Sequence, residues 1–343
     1  MINLMQLTQQ VRDEYENLLS IVVPTEQIRM TEHGQLFTGK NEFPTTREAS
    51  EHFARLLKAP PRFYLTFEPD LRALFFNRRF PTLSADGVLG RDIRLTLNKE
   101  RQIIGYDDPT LFKISPIKLM EIINTSLPQS LSAEQIEVSR LHISDTTLSL
   151  SCYSPQIGIE PRVGDIINGG VDVHHSTSGE FGTQIRVYLR RKICQNGACT
   201  HICDDRKHVR ARRLSNGKFD ENDMFNQIER LLIVAWRQIN SKLEATRGLL
   251  NKKKVSAEFL NQQRTRFSLN NRILRLIEHA ITQDEIGPTG TQYDFFNAIS
   301  RVATHDNSLS LRQQRRLMFM GGEFSQQDVH KCPQCGNWII GQN

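Results

Sequence analysis

The side chains of this sequence best able to do chemistry are a set of thiols, a histidine pair beside an aspartate, and a dense run of arginines. Cys332 and Cys335 are separated by Pro333-Gln334 and followed by Gly336, so a Pro/Gly turn can aim two thiolates at one tetrahedral zinc. A complete site needs two further ligands. Cys199 and Cys203 are the most economical pair, with Cys194, His201 and His330 as substitutes. The expectation is a structural zinc held by Cys199, Cys203, Cys332 and Cys335, stapling the tail to residues 194–203. Asp172, His174 and His175 form the most catalytic-looking group, because Asp172 and His174 share one face of an extended strand. Structural service explains that group more economically. With Asp165 it could instead furnish ligands or a base for metal-dependent phosphodiester hydrolysis.

Gly34 to Lys40 satisfies the first seven places of a phosphate-binding loop, but Asn41 stands where a magnesium-binding Ser or Thr is required. Phe43-Pro44 also interrupts the helix that should follow, so a surface turn is expected. Charge is more informative. The 44 basic and 38 acidic residues give a net charge of +6, yet the window from Arg186 to Arg213 alone holds nine cations against Asp204 and Asp205. Clustered cations gain affinity for a polyanion by releasing its condensed counterions. Arg186, Arg190, Arg191, Lys192, Arg206, Lys207, Arg210, Arg212 and Arg213 are therefore read as phosphate contacts, with Tyr188 among them as a stacking ring.

Val163-Gly164-Asp165-Ile166-Ile167-Asn168-Gly169-Gly170-Val171-Asp172-Val173, then Ser176, Gly179 and Arg191-Lys192-Ile193-Cys194-Gln195-Asn196-Gly197, resembles the phage/plasmid-like proteins of domain-of-unknown-function family 932. The resemblance extends to Thr46–Pro61 and Arg94–Pro116, with His175 where asparagine is expected and the four-cysteine set additional to the pattern. It implies a bacteriophage or plasmid setting and no established reaction.

Several elements must position these groups. Thr45 with Glu48 reads as a capping box for a helix through Leu57, stopped by Pro60-Pro61. Residues 63–80 read as a second helix closed by Pro81, Arg91 to Tyr106 as a hairpin turning at Asn98-Lys99, and Ser115-Pro116 as another helix start. From Ile136 to about Cys203 apolar residues recur at period two: Leu148 and Leu150, Val171 and Val173, then Ile185, Val187 and Leu189. Phe225, Ile228, Leu232, Ala235, Ile239 and Leu243 then recur at helical spacing, and Gly321-Gly322 reads as a hinge.

The chain is thus expected to be α+β, a β-rich central module flanked by helices. Its segments are 1–135, an N-terminal α+β region; 136–219, the basic β-rich module; 220–320, helical; and 321–343, the Cys-x-x-Cys tail. With 38% hydrophobic residues, it can bury two modest cores, which argues against wholesale disorder. Its longest uninterrupted apolar run, Leu231 to Trp236, is far too short to span a membrane, and six cysteines are too sparse for a secreted disulfide scaffold. A cytoplasmic nucleic-acid-binding protein follows, with single-stranded DNA the first ligand to try, no membrane partner, and self-association open. The alternatives are the hydrolase above and a non-catalytic interaction protein that modulates host defence.

Overall fold

The computed structural model describes residues 4–111, 113–127, 136–144, 146–178, 182–191, 197–200, 209, 212–213, 219–251, 255, 257–283, 291–325, 329–331 and 338–340. Its buried apolar residues form two clusters. The smaller is drawn from Val23 to Ile103, while the larger takes Leu7, Val11 and Tyr15 and then runs from Ile114 to Phe324.

Helix α1 (Leu4–Tyr15) precedes β1 (Leu19–Pro24), and β2 (Ile28–Met30), β3 (Leu36–Thr38) and β4 (Glu42–Phe43) form a small antiparallel sheet. Gly34 and Gly39, the would-be phosphate-loop glycines, adopt φ of +75° and +80° on opposite sides of β3, so they serve two separate turns. Helix α2 (Arg47–Leu56) is capped by Thr46, whose side chain accepts from the Ala49 amide; Thr45, the expected cap, instead bonds the Ser50 hydroxyl. After α3 (Pro61–Tyr64), helix α4 (Pro69–Ala85) continues through Pro81, where the sequence pattern predicts its end. Phe80 and Leu83 on either side are fully buried, and that packing outweighs the lost backbone bond. The expected hairpin is β5 (Asp92–Leu97) with β6 (Ile103–Asp107), and β1 completes this sheet in the order β1-β5-β6.

Helix α5 (Pro116–Ser126) begins as the sequence implied, with the Ser115 hydroxyl accepting from the Lys118 amide and proline in the first turn. The central module is a five-stranded antiparallel sheet, order β11-β10-β9-β8-β7. Its strands are β7 (Glu137–Ser144), β8 (Thr147–Arg162), β9 (Asp165–Ser176), β10 (Gln184–Arg191) and β11 (Gly197–Thr200). A short ladder joins β12 (Arg212–Arg213) to β13 (Phe219–Asp220), after which Asp220 caps α6 (Glu221–Arg237). The helical stripe of the sequence breaks at Gln238, and α7 (Ile239–Gly248) carries its second half, so Ile228, Leu232, Ala235, Ile239 and Leu243 all reach the larger core. There follow α8 (Ala257–Arg266), α9 (Asn271–Gln283), α10 (Gln292–His305), α11 (Leu311–Ser325), and the strands β14 (Val329–Lys331) and β15 (Trp338–Ile340). The architecture is a mixed α+β fold with N-terminal helices, central sheets and C-terminal helices.

Two further expectations fail. Gly321 and Gly322 are no hinge, because they lie inside α11 and are buried beside Met320 and Phe324. The zinc site is not borne out: among the described residues no group of three or more His, Cys, Asp and Glu side chains could hold a metal ion. The tail pairs with itself, β14 against β15, while the backbone of Cys199 is committed to the separate five-stranded sheet opposite Tyr188. Cys203, Cys332 and Cys335 lie outside the described residues. The free cysteine that is described, Cys152, is buried in β8, and burial pushes its thiol up to about 12.

Candidate nucleic-acid interface

Strand alternation gives the five-stranded sheet two unlike faces. One is apolar: Leu141, Leu150, Val173 and Ile185 lie side by side, as do Val138, Cys152, Val171 and Val187. The other is polar, because directly opposed residues of antiparallel strands share a face. Its rows are His142, Ser149, His174 and Gln184; Arg140, Ser151, Asp172 and Arg186; Glu137, Tyr153, Gly170 and Tyr188; and Asn168 with Arg190.

Helix α11 lies across this polar face. Arg315 donates through Nη2 to Asp172 Oδ2 at 2.7 Å and through Nη1 to the Ser149 hydroxyl at 2.6 Å, while Ser151 donates to Asp172 Oδ1 at 2.8 Å. Gln314 accepts from Arg140 Nη2 at 2.8 Å, and the Arg186 guanidinium sits 4.5 Å from the centroid of Phe319. Burial alone would raise the Asp172 carboxyl, but Arg315, then the Ser151 hydroxyl and Arg186, outweigh it and hold its pKa below the usual value. His174 is driven down to about 2, by burial first and then by Arg315, with Arg186 and His175 adding to the effect against Asp172. His175 lies on the apolar side of β9, bonds Thr183 at 3.0 Å, and is lowered to about 3 by burial and by Lys113. Neither ring is tuned to exchange protons near neutrality.

The sequence-predicted cations divide. Arg186 and Arg190 are half-buried on the polar face, Arg190 with its guanidinium 4.3 Å from the centroid of Tyr153. That tyrosine also donates to Glu137, and burial and the carboxylate together push its hydroxyl up to about 12. Arg191 points to the opposite side, is 5% exposed, and is clamped on Asp165 by Nε–Oδ1 and Nη2–Oδ2 bonds of 2.5 and 3.0 Å. Tyr293 of α10 donates to the same carboxylate at 2.8 Å, and Arg162 beside it pairs with Asp294 at 2.7 Å. Tyr188 is 2% exposed and bonds Ser139 at 2.9 Å, so its ring faces no solvent on which a base could stack. Arg212 and Arg213 are described in their backbone, opposite Asp220 and Phe219; Lys192, Arg206, Lys207 and Arg210 lie outside the described residues.

Sequence reasoning missed Arg140, Tyr153, Arg315 and Phe319. The alternation of Ser149, Ser151 and Tyr153 with Leu148, Leu150 and Cys152 already marked a polar strand face, but nothing local marked α11 as its cover. Arg312 and Arg316 of α11 are exposed, Arg316 donating one N–H to the Phe267 carbonyl.

No family model, curated protein or solved structure matches the chain. The resemblance around residues 163–197 therefore rests on that motif alone. No described helix is long and apolar enough to cross a membrane.

Proposed function

We propose that this protein binds nucleic acid, with phosphates held by the half-exposed arginines of the polar sheet face and by the exposed arginines of α11. The observation that carries the reading is the seating of the Arg190 and Arg186 guanidinium groups on aromatic rings, Tyr153 and Phe319, on a face that also bears Arg140. A ring face holds a guanidinium in place, so the N–H groups it keeps toward solvent can grip phosphate oxygens, although one N–H of Arg186 is given to Gln184. The +7 window of the sequence, Arg186 to Arg213, also favours a polyanionic partner. The setting in bacteriophage or plasmid DNA metabolism rests on the motif resemblance, and single-stranded DNA is the first ligand to try. Filter retention of a single-stranded oligonucleotide across a salt series tests the proposal. Arg190→Gln combined with Arg312→Gln and Arg316→Gln leaves the Arg315–Asp172 and Arg191–Asp165 pairs intact. It should lower the slope of log affinity against log salt by about 0.7 for each phosphate that is no longer neutralised. No retention by the wild type at low salt, or an unchanged slope in the variant, overturns it.

A further inference from the structure

We propose that two copies of this chain associate edge to edge through β1, joining their three-stranded sheets into one six-stranded antiparallel sheet about a two-fold axis. Strand β1 is outermost in the order β1-β5-β6, so one side of its backbone has no ladder partner among the described residues. It pairs with β5 without a register shift from Leu19↔Leu97 to Pro24↔Asp92, so no bulge twists the free edge away. Its sequence, Leu19-Ser20-Ile21-Val22-Val23-Pro24, contains no charged residue. Leu19 is 53% and Val22 58% exposed, although both are large aliphatics. A straight, uncharged, apolar edge is what isolated domains avoid, because its unpaired N–H and C=O groups template pairing with another chain.

The other strand edges point to a second copy as the occupant. On β6, Ile103 is already engaged from outside, its amide donating to the Pro44 carbonyl and its carbonyl accepting from the Thr46 amide. On the five-stranded sheet, the β7 edge carries Glu137 and Arg140, the kind of charged rim that discourages sheet growth. Strand β1 is self-complementary: antiparallel to itself, it sets no charge against a like charge. With the two-fold axis normal to the sheet at Val22, that residue meets its own counterpart and Ile21 lies opposite Val23. Core-facing side chains then stay on the core side in both copies. Pro24, which has no N–H, bounds the new ladder.

Sedimentation velocity of the full chain over a range of concentrations is the test. The wild type should form a dimer as concentration rises, and the amides of residues 19–23 should exchange more slowly in the dimer. Ser20→Lys and Val22→Lys, both at exposed positions, should each weaken the dimer about tenfold or more. Val88→Lys, at a similarly exposed valine after α4, should leave it unchanged. A wild type that stays monomeric at every concentration, amides 19–23 whose exchange does not depend on concentration, or a dimer retained undiminished by both natively folded lysine variants, overturns the inference.

Discussion

Arg191 separates a structural role from a phosphate-binding role more sharply than any other residue of the basic run. Arg191→Ala would leave the 3% exposed Asp165 carboxylate with the Tyr293 hydroxyl but without its cation. Removing one partner of a buried ion pair typically costs about 3–5 kcal/mol, because the remaining charge is stranded. At roughly 2–4 °C per kcal/mol for domains of a couple of hundred residues, the melting temperature should fall by on the order of 10 °C. The paired replacement Arg191→Met with Asp165→Leu removes both charges and should recover most of that loss. Urea midpoints for the two single variants and the double variant give the coupling, expected at about 2–3 kcal/mol. Salt titration of oligonucleotide binding, held below the variants' melting range, gives the second readout, and its slope should match the wild type. An Arg191→Ala protein that melts with the wild type while its salt slope drops by about 0.7 would refute the reasoning, because the guanidinium would then be spent on phosphate.

Acid should destabilise the fold earlier than its carboxylates alone would require. His174 and His175 are held neutral down to about 2 and 3, whereas in the unfolded chain they take up protons near pH 6.5. Their contribution is therefore fully present above about pH 6.5 and is lost as pH falls below it, by about 1.4 kcal/mol per pH unit for each ring. Asp172, whose pKa is depressed, adds its own loss only as pH falls below about 4. Urea midpoints between pH 7 and 5 should fall steeply, and His174→Asn or His175→Asn should flatten the fall; a flat wild-type profile would contradict this. Tyr188→Phe should cost about 1 kcal/mol through the lost Ser139 bond and leave oligonucleotide affinity unchanged, which denaturation and binding on one preparation would check. Gly169→Ala and Gly170→Ala should each cost about 1–3 kcal/mol by overpacking, but with different remedies. The new Cβ at 169 would meet the Ile239 Cγ2 at 1.9 Å, so in an Ile239→Ala background, itself about 2–5 kcal/mol less stable, Gly169→Ala should add little further cost; at 170 it would meet the Cys152 carbonyl at 1.9 Å, which no side-chain change relieves.

Local signals in the sequence carried well where the structure is local. The Ser115-Pro116 start, the Asn98-Lys99 hairpin and the period-two strands from Ile136 onward all depend on neighbours a few residues apart. The failures have tertiary causes. Pro81 stays in a helix because Phe80 and Leu83 are buried around it, and Gly321-Gly322 stays helical because the same turn carries Met320 and Phe324 into the core. β1 went unread because its six residues do not alternate cleanly, and their partner β5 lies some seventy positions on.

The arginine run divides for a reason of geometry. A cluster in sequence is a cluster in space only if the backbone presents its members to one side, and a β-strand reverses side at every residue. Arg186, Tyr188 and Arg190 share a face, so two of the nine cations meet Phe319 and Tyr153, while Arg191, one step further, crosses to Asp165. The polar face recruits its other cations from far away in the chain, Arg140 from β7 and Arg315 from α11. Net charge over a sequence window therefore overstates the potential at any one surface, since Arg191 of the window is spent on Asp165, which lies outside it. On the proposed reading, what remains for a phosphate chain is decided by burial: side chains that stay part-exposed, such as Arg190 and Arg316, can release counterions on binding, whereas those locked in a buried pair cannot.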